Sequence, residues 1–136
     1  MKQILLAATL LFCFSLHGQT ENKPPKLRYT SGFFSTKWEL GDKDVSEKEV
    51  RTHLEKHSSE AYHYWRKAEG NGKTSLVFSV IMLGGSIAGL VAEKDETKLI
   101  GYSVAAGAGI VTLVTTLSGS SNADKAVTTY NRKFGY

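Results

Sequence analysis

Two histidines, His53 and His57, stand four residues apart, a spacing that sets both imidazoles on one helix face and could offer them to a single metal ion. A metal also needs a third protein ligand and hydrogen-bonded support around it. Only His63, Glu60 and Glu49 are at hand for that. The glutamate that a zinc peptidase keeps beside its first histidine is missing: Thr52 and Leu54 flank His53, and Glu55 is the nearest acid on that stretch. The expected reading is no metal centre, with His53 and His57 its only candidates and otherwise two solvated side chains. Other chemistry finds fewer parts still. There is no Gly-x-Ser-x-Gly elbow, phosphate-binding loop or dinucleotide fingerprint, since the glycines of 84–89 follow no strand. Nine acids precede position 74, and spacing selects no pair among them for glycoside hydrolysis. The expectation is a protein with no catalytic residue and no cofactor.

The elements that must hold these residues are announced by charge. The 136 residues include 17 Lys+Arg and 13 Asp+Glu, a net +4, at a mean hydropathy of −0.21. Every one of those charges lies outside residues 74–92 and 99–123, which together form 44 residues without a charge. That partition excludes a uniform water-soluble globule and a disordered charged tail. The small basic excess gives no argument for nucleic acid. Residues 74–92 (TSLVFSVIMLGGSIAGLVA) form a first apolar length of about 28 Å as a helix, close to the hydrocarbon thickness of a bilayer. Residues 99–118 form a second, and the polar loop 93–98 (EKDETK) between them is short enough to require an antiparallel hairpin.

Glycine costs about 1 kcal/mol in a water-exposed helix, yet six of the thirteen glycines fall inside these two spans. Gly85 and Gly89 are four apart on one span, and Gly101, Ala105 and Gly109 repeat that spacing on the other. Small residues four apart let membrane helices approach closely. Folding the chain about its loop brings Gly89 near Gly101 and Tyr102, and Gly85 near Ala105 and Ala106. The expectation is a packing seam within the hairpin, with Gly84 and Ala88 a neighbouring face for self-association.

The flanking segments complete the expected architecture. Residues 1–18 (MKQILLAATLLFCFSLHG) have the Lys2, apolar run and closing small residue of a secretory signal peptide, cleaved after Gly18. Cleavage leaves a net charge of +3 and removes the single cysteine, Cys13, whose neighbour Phe12 is too large for lipoprotein processing. Disulfides, thiol catalysis and cysteine metal sites are then excluded. In the exported segment 19–73, residues 19–26 read as an extended linker. Alternation at Phe34, Thr36, Trp38 and Leu40 followed by Gly41-Asp42 predicts a β-hairpin over 33–45. Ser46 and Glu49 form a capping box for a helix over 46–57 that buries Val50 and Leu54. Ser58 or Ser59 opens another over 59–70, closed by Gly70 or Gly72. Tyr64, Trp65, Arg66, Lys67 and Lys73 are candidates for the membrane interface, where amphipathic rings and basic side chains are favoured; packing of the same face on the hairpin is the alternative. In the tail 119–136, residues 122–132 predict a short helix. The fold class expected is mainly α: an antiparallel two-helix transmembrane hairpin carrying a β-hairpin, two short helices and a C-terminal short helix.

The run WELGDKDVSEKEV, then EAYHYWRKAEG, the glycine-rich apolar hairpin and the closing KAVTTYN together resemble a family of small exported membrane proteins of Bacteroidota, over about residues 38–131. The resemblance implies architecture and an envelope location, and no catalytic residue. The function expected is non-enzymatic, an interaction or assembly factor anchored in the cell envelope. The lipid bilayer is its partner, with a further copy or another envelope protein beside it. An oligomeric pore and a periplasmic metal-binding module are the alternatives. The signal peptide puts both ends of the hairpin in the periplasm, although Arg66, Lys67, Lys73, Lys125, Arg132 and Lys133 flank those ends against Lys94 and Lys98 in the loop, opposite to the positive-inside bias.

Overall fold

The computed structural model describes residues 23–31 and 36–136, so the signal-peptide reading, Cys13 and the Phe34 strand position lie outside the described residues. Three strands form one antiparallel sheet in the order β1 (Leu27–Ser31), β2 (Thr36–Leu40), β3 (Lys43–Val45). The β2–β3 turn is the expected Gly41-Asp42, with Leu40 paired to Lys43 and Gly41 at φ 63°, where a side chain would be strained. Strand β1 is an addition to the expected hairpin. Its alternation is short, Leu27, Tyr29 and Ser31 facing in and Arg28 and Thr30 facing out, which gives a weak sequence signal. It is recruited by β2: Tyr29 pairs with Trp38, their rings 4.6 Å apart. On the outer face Lys37 holds Glu39 and Asp44, each at 2.9 Å.

Helix α1 (Glu47–His57) starts as expected, with Ser46 and Glu49 exchanging both capping-box bonds. Helix α2 (Ser59–Val91) is capped by Ser58, whose hydroxyl accepts from Ala61 N–H. The expected stop at Gly70 or Gly72 does not occur: α2 runs unbroken for 33 residues. Likewise α3 (Asp95–Lys133) joins the second span and the tail helix into 39 residues, and the polar loop shrinks from six residues to 92–94. Packing explains both. A glycine or serine costs a helix about 1 kcal/mol or less, and the side-by-side run of α2 against α3 supports the backbone through those positions. At about 50 and 58 Å, both helices exceed the hydrocarbon thickness of a bilayer.

At one end of this helix pair sits a small head. Leu27, Trp38, Val50, Leu54, Ala61, Trp65, Ala123, Ala126 and Tyr130 form its core, drawn from the sheet and from α1, α2 and α3. The first and last described segments of the chain therefore meet in one cluster.

Candidate functional site: an apolar stem and its glycine seam

The stem is the stretch of α2 and α3 between residues 74 and 118. Its seam joins the residues that sequence spacing singled out. A Cβ placed on Gly101 would lie 2.6 Å from Gly89 N and 2.8 Å from Gly85 O, and one on Gly85 would lie 2.9 Å from Gly101 O and 3.0 Å from Ala105 N. These are backbone atoms, so only glycine fits. At Gly89 the obstacle is the Tyr102 ring, 2.8 Å away, and at Gly109 it is Met82 Sδ at 3.3 Å. Gly84 and Gly107 face open space. Toward the head the seam turns polar: Asn71 Nδ2 donates to Ser118 Oγ at 3.0 Å, and Ser75 and Thr116 hydroxyls meet at 2.7 Å.

The rest of the stem is turned outward. Eight large apolar residues on each helix are exposed, from Leu76 to Val91 on α2 and from Leu99 to Leu117 on α3, several of them by more than 60%. The buried positions of the stem are Gly89, Gly101, Ala105 and Ala108. Small residues are inside and large apolar ones outside, the reverse of a helix pair folded in water. Both helices are long and apolar enough to cross a membrane. Compared with family models, curated proteins and solved structures, the chain matches none.

Of the interface candidates, Trp65 is withdrawn from the surface: it is 4% exposed, held in the head core against the sheet. Packing on the hairpin is the alternative that prevails there, Trp65 sharing one buried cluster with Trp38 of β2 and Leu27 of the added strand. Tyr64 is half-buried, while Arg66, Lys67 and Lys73 are exposed, Lys73 pairing with Glu69 at 2.8 Å.

The histidine pair belongs to a clasp at the far end of the head. His53 is half-buried, its ring 4.5 Å from that of His57, and its Nε2 lies 2.6 Å from the Tyr130 hydroxyl. The hydroxyl also lies 3.1 Å from Pro25 O, which can only accept; in the Nε2-protonated tautomer of His53 it accepts from the imidazole and donates to that carbonyl. His53 is thus a packed, bonded side chain, where two solvated imidazoles were expected. Burial first, then the charges of His57 and Lys56, hold its pKa below the ordinary value. Burial, with Tyr136 nearby, pushes the Tyr130 phenol up to about 12. Among the described residues no group of three or more His, Cys, Asp or Glu is arranged to hold a metal.

Sequence reasoning missed Asn131 altogether as a positioning residue. Its carboxamide accepts from Leu27 N–H at 3.0 Å and donates to Leu27 O at 2.8 Å, in place of a neighbouring strand. The Tyr-Asn pair that closes the KAVTTYN run was the one available signal. Lys133 Nζ caps the carbonyl of His57 at 2.7 Å, and Tyr136 donates to Pro24 O at 2.7 Å.

Proposed function

We propose that this chain is a non-enzymatic integral protein of the bacterial envelope, an interaction or assembly factor whose head is carried on a membrane-crossing α2–α3 hairpin. The inside-out stem carries that reading: sixteen exposed large apolar side chains would otherwise face water. At about 25 cal/mol per Å², such a surface is strongly favoured in hydrocarbon. Both ends of the hairpin lead into one head, so the head and Tyr136 share a side. The signal-peptide reading makes that side the periplasm, and membership of the small exported Bacteroidota family is part of the same proposal.

Depth along α2 sorts the basic and aromatic residues. Headgroup regions are about 5 to 8 Å thick on each side, and at 1.5 Å per residue Tyr64 stands about 18 Å above Leu76 while Lys73 stands about 5 Å above it. Lys73 is the interface residue of the set. The anchor is favoured over a pore by the stem hydroxyls: Ser79, Ser86, Thr112 and Thr115 each bond a carbonyl of their own helix, leaving little polarity to line a path. Carbonate extraction of membranes from cells making the full chain tests the proposal. The protein is expected in the pellet; recovery in the wash would overturn it.

A further inference from the structure

An open cleft of about 760 Å³ lies between the inner face of the sheet and the α2–α3 pair. Its lower wall is Leu76 and Val77, the outermost exposed residues of the stem on α2, and its roof is Trp38 and Trp65. Its volume is within the range of sites that hold small molecules. Among the described residues, the charged groups along it are Glu47, Glu69 and Lys73, an excess of one negative charge. Lys73 and Glu69 are one helical turn apart and already paired at 2.8 Å, with Lys73 nearer the stem.

We infer that this cleft takes the headgroup of a zwitterionic aminophospholipid from the surrounding leaflet, its phosphate at Lys73 and its primary ammonium at Glu69. The inference rests on the membrane reading of the stem. Three observations carry it. Leu76 and Val77 line the cleft and are also exposed residues of the apolar stem, so a lipid in the cleft can keep its chains beside them. Lys73 stands about 5 Å above Leu76, the depth of a leaflet's phosphates. Glu69 follows one turn further out along α2, and its carboxylate lies 2.8 Å from Lys73 Nζ, so a cationic and an anionic partner stand side by side for the two charges of the headgroup. An anionic headgroup would place its charge in a cleft that is already net negative. A trimethylated headgroup carries the positive charge but has no N–H to donate to the carboxylate.

The test is native mass spectrometry of the full chain released from nanodiscs with equal shares of phosphatidylethanolamine, phosphatidylcholine and phosphatidylglycerol. A single retained lipid is expected, enriched in phosphatidylethanolamine by about fivefold, the scale of one charge-assisted pair at a partly exposed site. Glu69→Gln should bring the adduct back to the bulk ratio. The lipid series on the unaltered chain needs no variant to fold. Retained lipid at the bulk ratio, enrichment of phosphatidylglycerol, or no retained lipid would each overturn the proposal. Co-elution of the chain with the discs separates the two readings: a chain that enters discs without selecting the headgroup keeps the membrane reading and loses this one, and a chain that does not enter loses both.

Discussion

The Asn131 carboxamide pairs with both backbone groups of Leu27, and both residues are buried. Asn131→Ala leaves a buried N–H and a buried carbonyl without partners, which costs about 2 to 3 kcal/mol. Thermal unfolding of the detergent-solubilised chain should show a lower midpoint for the head, and an unchanged midpoint would count against the clasp. His53 ties the same end through Tyr130, and its pKa sets the sign of a pH effect. The folded chain binds that proton less readily than the unfolded chain, whose histidine titrates near 6.5. Head stability is therefore full above about pH 6.5 and declines as the pH falls from there through the lower folded value. His53→Gln keeps a donor for Tyr130 and cannot titrate. Melting profiles from about pH 8 to about pH 5 should be flatter for that variant than for the parent, and parallel profiles would remove His53 from the effect.

Between the two long helices, contact depends on which glycines face backbone and which face nothing. Gly101→Leu must push Gly89 N and Gly85 O away, at a cost of several kcal/mol, since even a modest excess of volume in a tight contact costs about 1 to 3 kcal/mol. Gly85→Leu with Gly89→Leu should part the helices in the same way, although Gly89 alone meets only the movable Tyr102 ring. Gly84→Leu fills open space and should leave the pair intact. Cysteines at Asn71 and Ser118, whose side chains meet at 3.0 Å, provide the readout. Disulfide formation should survive Gly84→Leu and fall sharply with Gly101→Leu; equal yields in both would refute the seam.

For the molecule as a whole, the last turns of α3 belong to the head although they follow the stem. Ending the chain after residue 121 removes Ala123, Ala126, Tyr130 and Asn131 from the core. Limited proteolysis should then cleave the head readily while the remainder still sediments with membranes; a resistant head would show that the tail is dispensable. The charge-free stretches, their period-four glycines, the Ser46 capping box and the Gly41-Asp42 turn were all legible in the sequence. Each depends on residues near one another in the chain or on composition alone. The packing of glycine on glycine across the hairpin was legible too, because a short loop leaves one way to fold two apolar helices together. Strand β1, the unbroken courses of α2 and α3, the burial of Trp65 and the clasp of Tyr130 and Asn131 on Pro25 and Leu27 were decided by tertiary structure. Those features join residues about a hundred positions apart, or depend on a neighbouring helix supporting backbone that local propensity would have ended. No local pattern records such a partner, and the free energy that selects it exists only once both segments are in place.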